Sequence, residues 1–349
     1  MNLKEIRAKA RELAKGSCRV CPTCDGRACA GEVPGMGGTG TGASFMNNIA
    51  ALRAISLTPR LVHQVHFPRT ETEIFGLKLK FPLLVGPIGG IAFNLSQAMG
   101  EADYQEAIVF GAVDAGIVAG TPDAAPMEVM EVGLAQARAV GDGRTVPFIK
   151  PWEAERIKRE LAMCLEAGSR VVCCDLDSVG LITLRLMGHP AYPKSQDELA
   201  EIIEAAHKMG LAFLIKGVMS LADAEACVAA GADGLVVSNH GGRVLDGVPG
   251  AAAALPLIAK KLKGRVKILV DGGFRSGVDV LKGLALGADA VMIGRPFAVA
   301  AIGGGREGVA FYAETLRAQL EQALIMTGCP DVAQANQDLL WPGPSRDLA

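Results

Sequence analysis

The chain predicts an α/β fold built from repeated strand–helix units, and two observations carry this. From Phe81 onward short apolar runs alternate with amphipathic stretches, as buried parallel strands joined by crossover helices require. Three of these runs end in polar, glycine-rich residues: Gly234 to Val237 before Ser238-Asn239-His240-Gly241-Gly242-Arg243, Val266 to Val270 before Asp271-Gly272-Gly273-Phe274-Arg275, and Ala290 to Ile293 before Gly294-Arg295-Pro296. Periodicity alone leaves two arrangements open, a closed barrel and a doubly wound sheet.

Taken in order, Leu3 to Lys15 carries apolar and basic residues at helical spacing, with Gly16 as a stop. Cys18 to Gly42 is rich in Cys, Gly and Pro and reads as a loop or a cofactor-binding segment. Strands are expected at Pro82 to Gly86, Val113 to Ala119, Val146 to Ile149, Arg170 to Cys174, Ala212 to Ile215, Gly234 to Val237, Val266 to Val270 and Ala290 to Ile293. Helices are expected at Glu153 to Glu166, Gln196 to Met209, Leu221 to Ala230, Ala252 to Leu262 and Gly277 to Leu286. The phrases Ala230-Gly231-Ala232-Asp233 and Leu286-Gly287-Ala288-Asp289 recur at helix-to-strand joints, where glycine serves as a left-handed cap rather than a ligand contact.

Half of the 349 residues are hydrophobic, 21% are charged and the formal net charge is −2, so the chain can bury a large core and has no basic excess for nucleic acid. The sequence shows no signal-like leader and no apolar run long enough to span a membrane. Its nine cysteines form no secreted disulfide framework. A soluble cytoplasmic protein is the expectation.

The strand-end motifs suit oxidation of a small hydroxy acid. Such a reaction removes an electron pair that no side chain accepts, so it requires a redox cofactor. His240 is the natural base, and Arg243 presents a planar fork for a carboxylate. Together with Lys216, these motifs resemble the FMN-dependent α-hydroxy acid dehydrogenase and oxidase family, which includes glycolate and lactate oxidases. The resemblance is strong from Leu211 to Leu339, weaker from Pro59 to Asp177 and poor over the first fifty residues.

That resemblance decides for a (β/α)8 TIM barrel over residues 59–349, with a C-terminal helix and tail, preceded by a helical and Cys/Gly-rich extension over residues 1–58. It implies FMN, with Lys216 beside the flavin N1 and C2 carbonyl, and Asp175 as the carboxylate that orients His240; Asp177, two residues on, shares its side. Gly272, Gly273, Arg275, Gly294 and Arg295 correspond to the phosphate cup, and Ser238 and Asp271 to contacts with the flavin or its ribityl chain. Pro87, Ile88 and Gly89 take the place of a backbone contact to flavin N5, while Thr121 and Lys150 take strand-end flavin positions. A homotetramer is the family default.

The chain departs from the family pattern in three places. Pro34-Gly35-Met36-Gly37-Gly38 and Lys150-Pro151-Trp152 stand where two pocket tyrosines are expected. The segment from Asp175 to Lys216 is short and offers only Arg185 for a second substrate arginine. Finally, Cys18, Cys21, Cys24 and Cys29 are closely spaced, which suits an iron–sulfur cluster or zinc, with a redox disulfide or a reduced structural loop as the other readings. A cluster would imply an electron-acceptor protein as a partner.

The expected function is oxidation of an L-2-hydroxy acid, L-lactate first, with electrons passing to O2 or another acceptor. Two other classes remain: a flavin-dependent isomerase resembling type 2 isopentenyl diphosphate isomerase, and a non-catalytic FMN-binding redox sensor. A diphosphate substrate has no carboxylate for Arg243, and simple binding has no need of His240 beside it.

Overall fold

Eight parallel strands close on themselves in the computed structural model, which describes residues 2–342 except 16, 96 and 98. A short antiparallel hairpin comes first, β1 (Thr72–Ile74) and β2 (Leu77–Leu79). The barrel strands follow: β3 (Leu83–Val85), β4 (Val118–Thr121), β5 (Thr145–Ile149), β6 (Val171–Asp175), β7 (Ala212–Val218), β8 (Gly234–Val237), β9 (Lys267–Val270) and β10 (Ala290–Ile293). β10 pairs with β3 and closes the ring. The expected barrel is therefore the observed fold.

Alternation along each strand divides its residues between two apolar clusters. Leu84, Val118, Val146, Phe148, Cys173, Leu214, Val236, Leu269 and Met292 fill the barrel interior, whereas neighbours such as Leu83, Val85, Ile149, Val172 and Val237 pack under the surrounding helices, as a strand period of two requires. Ile74, Leu77 and Leu79 of the hairpin join the interior cluster. A Cβ on Gly234, at the start of β8, would lie 2.8 Å from the Phe75 ring. The hairpin thus plugs the N-terminal mouth and leaves the C-terminal mouth for chemistry.

One expected strand is corrected. Val113 and Asp114 end the helix Glu101–Asp114, and β4 begins only at Val118. Ile108, Val109 and Ala112 are buried at helical spacing, and Gly116, at φ +70°, turns the chain between helix and strand. The helix Glu101–Asp114 was hidden because its polar residues cluster in the first half and its apolar ones in the second, which leaves little amphipathic period, and Met127–Val140 was not anticipated either. The recurring joints behave as expected, with Gly231 and Gly287 at φ +103° and +113°.

The N-terminal helix spans Leu3–Ala14 with an Asn2–Glu5 capping box; the expected stop, Gly16, lies outside the described residues. This helix packs on the C-terminal helix Arg295–Thr327, where a Cβ on Gly303 would lie 2.0 Å from the Ile6 carbonyl. A second helix, Ala43–Arg53, crosses the C-terminal mouth. The Asp246 carboxylate holds its leading end by accepting from the Thr41 N–H at 2.6 Å and the Thr41 hydroxyl at 2.7 Å. The Cys/Gly-rich segment is therefore drawn over the strand ends.

Candidate active site

β6 and β7 are paired so that Asp175 and Lys216 are direct neighbours in register. Lys216 Nζ lies 2.7 Å from Asp175 Oδ1, and both side chains are buried. Burial opposes charge on either group, yet the ammonium is held above its ordinary range by Asp175, Asp177 and Asp271. Asp175 is likewise held well below the carboxylate range, because His240, Lys216 and Lys150 outweigh its burial. The pair stays ionised.

His240 follows β8 with φ +55°, a left-handed conformation that is unusual for a residue with a Cβ, and Gly241 and Gly242 continue it at +62° and +79°. Asn239 accepts from the Gly242 N–H at 3.1 Å, Ser238 Oγ accepts from the His240 N–H at 3.0 Å, and the turn aims the imidazole into the mouth. Its Nδ1 lies 2.8 Å from Asp177 Oδ1 but 3.5 Å from Asp175 Oδ1. The carboxylate beside the imidazole is therefore Asp177, where the family comparison points to Asp175; Asp175 serves Lys216 instead. The turn Leu176–Gly180 brings Asp177 back over the strand end, which spacing alone does not reveal. Asp175, Asp177 and His240 have ligand atoms close enough to hold a metal ion, but the Lys216 ammonium already faces all three.

Arg243 points into the same cavity, donating to Asn94 Oδ1 at 3.0 Å and to the Gly35 carbonyl. It has no carboxylate partner among the described residues, and burial pushes its pKa down to about 10. Arg295, also pushed down to about 10 by burial, donates to the Gly241 carbonyl at 2.7 Å and lies 3.9 Å over the Phe45 ring. Arg275 Nη1 donates to the Phe274 carbonyl at 2.9 Å, while its buried Nε has no partner. None of the three guanidinium groups is ion-paired to a carboxylate among the described residues; their oxygen partners there are carbonyls and one amide.

The cavity that joins these groups is lined by Pro87, Ile88, Gly89, Lys150, Asp175, Lys216, His240, Arg243, Asp271, Gly272, Gly273, Arg275, Gly294 and Arg295. These residues fit FMN on grounds internal to the structure. Asp271 Oδ1 is buried without a partner, as an acceptor facing ribityl hydroxyls would be. Gly272 and Gly273 have φ of +93° and +91°, so their backbone turns beneath the place where a phosphate meets Arg275 and Arg295.

Some expected residues lie elsewhere. Thr121 faces outward, since a Cβ on Gly133 would lie 2.9 Å from Thr121 Cβ, and the barrel side of β4 is taken by Gly120, whose Cβ would meet Phe148. Strand alternation forces this. Ser238 is fully buried and braces the His240 turn from outside the lining. Arg185 is exposed on the helix Ile182–Leu186, whose Thr183 and Leu184 line the cavity. Conversely, Asn94 and Asp123 enter the site without a sequence signal, and Met36 lines it from the stretch where a pocket tyrosine is expected. Asp123 accepts from Trp152 Nε1 at 2.6 Å and from the Lys150 N–H at 3.0 Å, so the residues in the place of the expected tyrosine form a buried brace.

Barrel, strand-end base, carboxylate fork and phosphate cup together define a flavin-dependent oxidoreductase acting on CH–OH groups. The chain belongs to the FMN-dependent dehydrogenase family, whose pattern matches residues 35–185 and 185–342. It is 34% identical over 329 residues to L-lactate oxidase of Lacticaseibacillus rhamnosus (strain LMS2-1), covering 86% of each chain. It is 31% identical to 4-hydroxymandelate oxidase of Amycolatopsis orientalis over 86% of this chain and 90% of that one. A solved structure of mandelate oxidase with (S)-2-phenylpropionate superposes with a TM-score of 0.74 at 28% identity, covering 97% of each chain. This class sets aside the isomerase and sensor readings. Among the described residues no helix is long and apolar enough to cross a membrane.

Proposed function

We propose that the protein oxidises an L-2-hydroxy acid, L-lactate first among them, to the 2-oxo acid. The observation that carries this is His240, paired with Asp177 at 2.8 Å, in the same cavity as a buried Arg243 that lacks a carboxylate partner among the described residues. FMN, when bound, supplies the two-electron acceptor. Arg243 binds the substrate carboxylate, a charge-assisted contact typically worth about 1.5–3 kcal/mol. His240 takes the hydroxyl proton, and Asp177 stabilises the imidazolium that results. Lys216, kept cationic by Asp175, offers positive charge to the reduced ring. Asp271 would accept from the ribityl hydroxyls, and Gly272, Gly273, Arg275, Gly294 and Arg295 would hold the phosphate.

An apolar substrate side chain is supported by Met36, Ile88, Leu181, Leu184 and Met187 in the cavity wall. Cytoplasmic location and a homotetramer belong to the same proposal; Leu61, Val62 and Phe67 lie exposed and supply apolar surface for subunit contact. The test is anaerobic addition of L-lactate, glycolate and longer L-2-hydroxy acids to the FMN-loaded protein. Bleaching of the flavin band by L-lactate at low concentration supports the reading, and admission of air then shows whether O2 is the acceptor. A flavin that L-lactate leaves oxidised while a longer acid bleaches it reassigns the substrate.

A further inference from the structure

Beside the flavin cavity lies a second one, with a volume of 440 Å³, and Cys18, Cys21, Cys24 and Cys29 all line it. Met36, Gly273, Arg275 and Arg295 line both cavities. The four thiols therefore stand at the phosphate end of the flavin site, separated from it by the two arginines of the cup. We propose that this second cavity is a [4Fe–4S] cluster site whose ligands are Cys18, Cys21, Cys24 and Cys29.

Spacing is the first support. The four cysteines fall within twelve residues with two, two and four residues between them, so the first three share the C-x2-C-x2-C run of ferredoxin-type clusters. Structural zinc sites more often draw paired ligands from two separated knuckles. The sulfur geometry is the second support. Among the described residues no three of these sulfurs lie within 4.8 Å of one another. A single tetrahedral zinc, with sulfurs about 2.3 Å from the metal, draws its thiolates to within roughly 3.8 Å of each other. A cubane carries its thiolates outward on four separate irons and so does not require them to gather that closely.

Charge and loop support agree. Four thiolates on an oxidised [4Fe–4S] core leave a net dianion, and each thiol loses its proton as its sulfur bonds one iron. Arg275 Nη2 lies 3.6 Å from Cys24 Sγ, and neither Arg275 nor Arg295 has a carboxylate ion pair among the described residues. The Val20 N–H donates to Cys18 Sγ at 3.4 Å. Arg11 donates to the Arg19 and Val20 carbonyls at 3.2 and 2.8 Å, and Arg7 donates to the Cys21 carbonyl, so the N-terminal helix holds the loop in shape before any metal binds.

The test is iron and acid-labile sulfide analysis of the full chain purified without oxygen, with low-temperature EPR after dithionite reduction. Four irons and four sulfides per chain, with a reduced-cluster EPR signal, are expected. Cys21→Ser should lose most of the iron while its circular dichroism stays that of the parent, and Cys164→Ser, at a buried thiol on the helix Ala154–Glu166, should keep it. One zinc per chain without sulfide overturns the proposal in favour of a single-ion site. Protein that takes up no iron and sulfide, either as purified or after anaerobic reconstitution with ferrous iron and sulfide, also overturns it. So does a native disulfide among the four thiols found by mass spectrometry.

Discussion

His240 Nδ1 lies 2.8 Å from Asp177 Oδ1, nearer than to any other carboxylate among the described residues, while Asp175 Oδ1 gives its closest contact to Lys216 at 2.7 Å. The two acids of one strand end thus divide their contacts: one faces the imidazole, the other keeps a lysine charged.

His240→Ala should lower kcat by about 10²–10⁴-fold, the usual worth of a positioned base, while FMN stays bound through the separate phosphate cup. Asp177→Asn should give a smaller loss in kcat with little change in KM. Stopped-flow flavin reduction measures both. An Asp177→Asn enzyme as fast as the parent, with Asp175→Asn slow, would return the orienting role to Asp175.

Lys216→Met should destabilise the fold by about 3–5 kcal/mol, because it strands the buried Asp175 carboxylate without its ammonium. Lys150, 3.9 Å from Asp175 Oδ2, softens the loss only in part. Urea unfolding of the parent and variant gives the difference. A change below about 1 kcal/mol would mean that Asp175 is not dependent on Lys216.

Gly272→Ala should weaken FMN binding and cost about 1–3 kcal/mol of stability, since φ is +93° and the new Cβ would lie 2.7 Å from Asn48 Oδ1. Asn48 cannot yield freely, because its Oδ1 accepts from the Ala251 N–H and its Nδ2 donates to Asn239 Oδ1 at 2.7 Å. Flavin fluorescence on dilution measures the retention; parental affinity would show that this loop does not shape the cup.

Arg156 faces two buried carboxyls, Asp123 at 3.2 Å and Glu160 at 2.7 Å. Burial, reinforced by Asp123, pushes Glu160 up to about 8 from its usual 4.5. The folded state therefore keeps a proton that the unfolded chain loses, and this contribution is present below about pH 4.5 and is lost as pH rises towards 8. Glu160→Gln should flatten the fall in Tm between pH 5 and pH 8. An unchanged Tm profile would show that Glu160 does not titrate in that window.

Much of the site was legible because a parallel barrel places its chemistry at strand ends, and strand ends are marked by a change from apolar to polar and glycine residues. His240, Arg243, Lys216 and the Asp271–Arg275 loop were singled out this way, and the structure brings them into one cavity. The hairpin β1–β2 was not, since three-residue strands are too short to show a period. Thr121 was misplaced for a related reason: at a strand end, one residue of register decides whether a side chain faces the mouth or the helix layer.

By itself the sequence determined which chemical groups stand at which strand ends, because the order of βα units and the turn residues are local properties of the chain. It also determined that four thiols fall within one short loop. Only the tertiary structure decided which acid faces His240, which residues support Arg243, and that the thiol loop lies against the phosphate arginines. Those relationships join residues such as Arg243 and Asn94, or Arg275 and Cys24, that are 149 and 251 positions apart. No local pattern encodes them; they are fixed when the barrel closes and the N-terminal segment packs across its mouth.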